Sequence, residues 1–562
     1  MTKAVPFPAQ LFRFLGLALL FMAAFPAEVT AASPAWLKLE TDEFVIYTDA
    51  PEKQAVDCAL RYAAFRRAFS ELFIGPGHSL PPSTLLLFRK DKPFRALLPP
   101  ATEKNTKVVN YSCEVDGMSL NAFALAGDRD RALEMTFEFE TIWALRRLGH
   151  FVPIWMSQGA GEVLSTVTLS KGKCLVGREG DRSFDDAFAW PRFFEINQDS
   201  KDYRDSGMEL ARYLAQAWGL MHWILLAEGE GDRRSRFESL EQRLRTAPAI
   251  EVVPATMNTP VNQLAKSIRR HGRVLREIPF AEAAVKAAFR LSPAPEAELF
   301  VQRANLLCAA GRVPECNLQL DQARALAPDL SAVQEAWARR MLREGRPRDA
   351  MQLYREAIAA GSKNFAAYLQ SALLRLDDGM SYGSDRAGEG GPEAVTAVAE
   401  LRQAIRLNPG SLESYRMLGR AFYVLPALTE AHIAELSPGA TTGADGELVR
   451  FYRAMLYSRL HRRDDCARDF RAILADPETS DQLRRGALSQ FVQEIVALDA
   501  RKVEKLVATH DYAAAFEIVA TGESDPEHSV AEGFGRLRDW LQKIVRKDPN
   551  ATAAERKLAG LE

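Results

Sequence analysis

Histidine is scarce in this 562-residue chain, which holds eight, and cysteine scarcer still, at six. Six thiols in so long a sequence do not make a disulfide-dependent scaffold, and their spacings match no zinc motif. An excess of one charge is also missing. The 72 basic residues oppose 74 acidic ones for a formal net charge of −2, which leaves no electrostatic footprint for nucleic acid. Beyond the N-terminal segment no apolar run approaches the roughly 20 residues that a membrane-spanning helix needs. A Gly-x-Ser-x-Gly elbow, a Gly-x-x-x-x-Gly-Lys phosphate loop and a Cys-x-x-Cys pair are all absent, so none of the chemistries those motifs serve is visible.

What is present begins with an address. Lys3 and Arg13 precede the apolar run LGLALLFMAAF, followed by Pro26 and the small-residue site Val29-Thr30-Ala31. The pattern predicts a secretory signal peptide over 1–31, cut after Ala31, with an uncleaved N-terminal anchor as the competing reading. Cleavage removes two basic residues and one acidic residue, taking the net charge from −2 to about −3. The mature chain is then expected in a periplasm or outside the cell, with no stable membrane span. Such a compartment permits disulfides. Cys308 with Cys316 and Cys113 with Cys174 are the candidate pairs, and buried reduced thiols are the alternative.

The remaining sequence, with 47% hydrophobic and 26% charged residues in the whole chain, has the composition of a folded protein, and its length suggests about three units. Glu43-Phe44-Val45-Ile46-Tyr47-Thr48 alternates as a strand. PEKQAVDCALRYAAFRRAFSELF reads as a helix with an apolar stripe of Ala55, Cys58, Ala59, Tyr62, Ala63, Phe65 and Phe69. STLLLFRK over 83–90 is a second strand, and helices are expected over 131–148, 153–168 and 207–227.

From about residue 296 two segments superimpose with a shift of 34: Ala304 on Ala338, Gly311 on Gly345, Cys316 on Ala350 and Ala323 on Ala357. That period, with small residues where paired helices approach and glycine at the turn, is the tetratricopeptide signature. The register continues through Ala372 and Gly379, is interrupted by MSYGSDRAGEGGP, and resumes at Ala397, Ala404 and Pro409. Gly419, and then Ala454 with Cys466, extend it.

Four passages, EFVIYTDAP, FEFETIWALRR, VPIWMSQGAGEVLST and YLAQAWGLMHWILL, together resemble the peptidase-MA-like gluzincin family of exported proteins. The resemblance implies a zinc site of His-Glu-x-x-His on one helix, with a third ligand from the next. Histidines at i and i+4 share a helix face, and the Glu between them acts as general base. On that alignment the two histidine positions hold Phe137 and Thr141, the third-ligand position holds Gln158, and Glu138 remains where the base would be. Glu162 persists at the end of the second segment. A register shifted by two would offer Phe139, Glu140 and Trp143 instead. Phe, Thr and Gln do not supply the donors zinc prefers. No metal, cofactor or peptide hydrolysis is therefore expected. The alternative, an active metal-dependent hydrolase with non-standard ligands, would draw on His150, His222, Glu138, Glu140 and Glu162. The bland reading places His222 in a core, His150 on a surface link, and Glu138 and Glu140 on a solvated or salt-bridged helix side.

The expected fold is an α+β gluzincin-like domain over 32–280, then an all-α tetratricopeptide solenoid over 281–480 with an insertion near 380–392, then a helical repeat-like cap over 481–562. By the repeat resemblance the concave face includes Val301, Asn305, Cys308, Glu335, Arg339, Leu342, Leu369, Leu373, Leu376, Arg416, Arg420 and Tyr423. Of these, Asn305, Arg339, Arg416, Arg420 and Tyr423 are the candidate contacts for an extended, partly acidic peptide, since guanidinium groups recognise carboxylates. The expected function is that of an exported, non-catalytic scaffold for protein–protein interaction.

Overall fold

The computed structural model describes residues 36–561 apart from 75–79, 106, 149–151, 179–183, 185–187, 205–206, 228–232, 272–273, 379–387, 441–443, 477–478 and 526–527. The expected signal peptide, most of the Gly-rich insertion and His150 lie outside the described residues.

The strands are Leu37–Glu40 (β1), Phe44–Thr48 (β2), Ser83–Phe88 (β3), Asn110–Val115 (β4), Met118–Ala124 (β5), Thr168–Ser170 (β6), Lys173–Val176 (β7), Arg276–Pro279 (β8) and Arg290–Pro293 (β9). Six form a mixed sheet in the order β4-β5-β3-β2-β1-β9, and β6-β7-β8 form a small separate one. β3 runs parallel to both β2 and β5, while the outer pairings are antiparallel. Both faces of the large sheet are covered, which is why STLLLF is apolar without alternation. Successive side chains point oppositely, so Ile46, Leu85 and Leu87 enter one core, while Tyr47, Leu86 and Phe88 enter another.

The first core is built by helices Glu52–Phe73 (α1), Arg129–Arg147 (α2), Ile154–Ser165 (α3) and Met208–Leu226 (α4). Their bounds fall within two or three residues of the expected spans. Asp128 caps α2, its carboxylate accepting from the Arg131 amide at 3.0 Å. The second core is closed by a helix of the C-terminal half, Glu296–Ala309 (α5), whose Ala297, Leu299 and Val301 sit with Leu86, Phe88 and Leu120.

Helices then follow one another through Val313–Leu326 (α6), Ser331–Arg343 (α7), Pro347–Ala359 (α8), Phe365–Asp378 (α9), Pro392–Leu407 (α10) and Leu412–Val424 (α11), and continue to the C-terminal end. Sequence neighbours pack together, and α5 touches α7 as α9 touches α11. The small residues of the 34-residue shift, Ala304, Cys316, Ala323, Ala338, Ala350 and Ala357, are all buried. Gly311 and Gly345 take positive φ of 76° and 72° in the intervening turns.

Cys308 and Cys316 form a disulfide joining α5 to α6. Cys113 and Cys174 do not pair and are free thiols. They serve different cores, Cys174 the first and Cys113 the second, so the candidate bridge between them is not made.

Candidate functional site

α3 is the middle layer between α2 and α4, and its QGAGE sequence explains how it fits. A Cβ on Gly159 would lie 2.4 Å from the Ala217 carbonyl oxygen of α4, and one on Gly161 would lie 3.1 Å from Glu138 Cγ of α2. The first approach, backbone on backbone, excludes a side chain at position 159, while the second leaves position 161 tight against a Glu138 side chain that would have to shift. Gly159 is thus required by packing, whatever chemistry the segment carries.

Phe137, Thr141 and Gln158, at the positions where the resemblance would place ligands, are all engaged in contacts of their own. Phe137 is fully buried and stacks on Phe65 with ring centroids 4.7 Å apart. Thr141 Oγ1 donates to the Phe137 carbonyl oxygen at 2.7 Å, one helical turn back. Gln158 Nε2 donates to the Tyr203 hydroxyl at 2.9 Å. Glu138 is half-buried next to Gly161. Burial first, and then the Glu138 charge, hold the Tyr203 hydroxyl above its usual range, with Arg146 and the Gln158 donation opposing. Glu138 and Arg146 thus lie within electrostatic reach of the Gln158–Tyr203 pair. The set does not fit zinc: a phenyl ring offers no lone pair, and a neutral hydroxyl and a neutral amide replace the imidazole and carboxylate donors that zinc prefers. Among the described residues no group of three or more His, Cys, Asp or Glu side chains is placed to hold a metal ion. In the shifted register Trp143 Nε1 donates to Glu114 at 3.1 Å, a role no metal ligand plays.

Glu140 corrects the expectation of a solvated helix side. It is 1% exposed and accepts from Ser119, from Asn121 Nδ2 at 2.6 Å and from Ser83 Oγ at 3.3 Å. Burial pushes its carboxyl up, opposed chiefly by the Ser119 hydrogen bond and the Arg66 guanidinium. Arg66, itself 2% exposed, reaches Glu43 at 3.0 Å and the Leu80 carbonyl at 3.0 Å. This network ties α1 and α2 to the sheet.

His222 is fully buried on α4, with Nε2 3.0 Å from the Gly177 carbonyl and its ring between Trp218 and His271, at 4.9 and 5.3 Å. Burial, with His271 adding to it, lowers its pKa to about 4. A histidine held neutral in the fold contributes stability that is complete above the unfolded value of about 6.5. That contribution is lost progressively as pH falls from there toward about 4, by an amount on the order of 3 kcal/mol. His222→Asn should remove this slope, read as urea midpoints from neutral to mildly acidic pH.

On the helical side the five candidate peptide contacts divide. Asn305 and Arg339 are brought together: Arg339 Nη2 donates to Asn305 Oδ1 at 3.0 Å, and its Nη1 pairs with Asp116. Asp116 comes from the β4–β5 turn, so part of the expected peptide face is occupied by the chain itself. Arg416 is held by Glu413 on its own helix, with one contact at 2.7 Å, and Arg420 reaches Asp377 of α9 at 2.9 Å. The Tyr423 carbonyl accepts from Arg459 at 2.6 Å and from the Gly388 amide at 3.2 Å, anchoring the end of the Gly-rich insertion.

Asp116 was missed by sequence reasoning, yet its signal is plain. NYSCEV-Asp-Gly-MSLNAFA is a two-residue Asp-Gly loop between strand-like runs, the strongest short hairpin cue there is. Both turn residues have positive φ, 54° at Asp116 and 73° at Gly117.

The chain has an α/β N-terminal region with a six-stranded mixed sheet, followed by a helical region. Comparison with protein-family models and with curated proteins finds no match to it. No helix among the described residues is long and apolar enough to cross a membrane.

Proposed function

We propose that this chain acts by holding a partner protein rather than by turning over a substrate. Its first region is read as a non-catalytic, gluzincin-like module of an exported protein, and its helices as a tetratricopeptide scaffold in the periplasm or outside the cell. The observation that carries the reading is the fate of the three ligand positions. Phe137 is part of the aromatic core, Thr141 is bonded to its own helix and Gln158 is bonded to Tyr203. Without a metal to lower the pKa of water toward about 7, Glu138 has no strong nucleophile to activate.

Support for the binding half comes from the helical surface. There Arg339 receives a carboxylate from a turn outside the helices, Asp116, whereas Arg420 and Arg416 pair with Asp377 and Glu413 of the helices themselves. The test is a protease assay on the mature chain with added zinc, compared with Glu138→Gln. No turnover in either is the expected outcome. Metal-dependent cleavage that Glu138→Gln abolishes would overturn the proposal.

A further inference from the structure

The β4–β5 hairpin reaches out of its own sheet and ends among the helices. Its stem is held at home by Glu114, which accepts from Trp143 Nε1 at 3.1 Å and pairs with Arg147, both on α2. Its tip belongs to the other side. The Asp116 carboxylate pairs with Arg339 of α7, the two side chains 14% and 16% exposed. Glu335, one turn earlier on α7, is spoken for by Ser362 Oγ at 2.5 Å and Asn364 Nδ2 at 2.8 Å, which leaves the Arg339 guanidinium for Asp116 and Asn305. Gly117 lies under Phe365 of α9: a Cβ there would come within 2.9 Å of the ring edge. Met118 packs against the apolar cluster that contains Phe365 and Leu369. An acidic side chain, a glycine at positive φ and an apolar follower each meet a matching feature.

Immediately beyond the tip the surface stays concave. A cavity of about 460 Å³ opens between the end of α2 and helices α9 and α11, with Asp116, Arg146, Phe365, Leu369, Gln370 and Glu413 among its walls. Arg146 is exposed there. A segment longer than the tip therefore has room to continue along the same groove.

We propose that the hairpin tip is a built-in ligand of this groove, filling the place of a partner protein's acidic turn of Asp-Gly type followed by an apolar residue. The inference rests on the reading that the helices bind a protein partner, and it names the chemistry of that partner. A tethered ligand acts at an effective concentration in the millimolar range, so a free segment of equal quality competes poorly until the tip is displaced. The hairpin thus sets a threshold: the groove opens to a partner that binds more tightly than the tip or that pulls the tip away.

The test uses the mature full-length chain and a labelled, cyclised peptide of hairpin residues 111–123 with Ser at position 113, read by fluorescence anisotropy. Asp116→Lys places a like charge against Arg339 and should free the groove. The wild-type chain is expected to show no saturable binding at micromolar peptide, Asp116→Lys at least about 10-fold tighter binding, and Asp116→Lys with Arg339→Ala a return to the wild-type level. Gly117→Ala, which displaces the tip sterically, serves as the second variant should the first fail to melt cooperatively. A folded variant of either kind that binds the peptide no better than wild type overturns the proposal, as does equal binding with Arg339 removed. The assay reads groove occupancy alone, so its failure is distinct from a finding of metal-dependent proteolysis, which would refute the underlying reading.

Discussion

A fragment that stops at residue 280 is expected to lose cooperative folding and to self-associate, whereas one extended to residue 345 should be soluble. The shorter fragment lacks β9, which pairs with β1 in the register Leu39↔Leu291, so the sheet gains an open edge. It also lacks α5 and α7, and Leu86, Phe88, Phe94, Leu98 and Leu120, each at most 2% exposed in the whole chain, lose their cover. Re-exposing an apolar side chain of this size costs about 1.5–3 kcal/mol, and several together exceed the usual stability of a domain. Polar ties across the same seam disappear as well: Tyr47 to Glu298 at 2.6 Å, Lys38 to Glu298 at 3.0 Å and Arg312 to the Ala96 carbonyl at 2.8 Å. Size-exclusion chromatography and a thermal melt distinguish the outcomes. A monomeric 32–280 fragment with the melt of the longer one would show that α5 is merely adjacent to the sheet.

Replacing Glu140 by Ala is expected to destabilise the chain by about 3–5 kcal/mol, and Glu140→Gln by clearly less. The alanine variant strands the Ser119 hydroxyl and the Asn121 amide in a dry interior and leaves the Arg66 guanidinium without a counter-charge on that side. Glutamine keeps one acceptor oxygen for Ser119 and Asn121, while the charge is lost and an amide NH2 takes the place of the oxygen that accepts from Ser83. Urea denaturation of the three proteins gives the ranking directly. Equal midpoints for Ala and Gln would mean that the network contributes shape rather than hydrogen bonding.

Those two effects mark where sequence and structure part company. The periodic features were legible. The apolar stripe of α1 is buried at Cys58, Tyr62, Phe65 and Phe69, the strand at Phe44–Thr48 forms, and the glycines of the 34-residue shift sit in turns. The Cys308–Cys316 bridge was one of two pairings left open, and it forms because both cysteines face each other across one helix pair. Less visible was whatever depends on a distant segment. Nothing in FEFET distinguishes Glu140 from Glu138, because the difference is made by Ser119 and Asn121 arriving from β5. The short strand Arg290–Pro293 carries no alternation worth the name, being exposed along its length, and is a strand because β1 offers it an edge. The occupied state of Arg339 likewise follows from where the hairpin ends up, although the hairpin itself was written in the Asp-Gly dipeptide.

The central claim is that the first region carries no metallopeptidase site, and zinc content tests it most directly. The mature chain would be exposed to zinc, dialysed, and its metal counted per chain by mass spectrometry. With Phe137 in the core and only the neutral side chains of Thr141 and Gln158 at the other two positions, occupancy far below one per chain is expected. About one tightly held zinc per chain would contradict the account and return the α/β region to the enzymes.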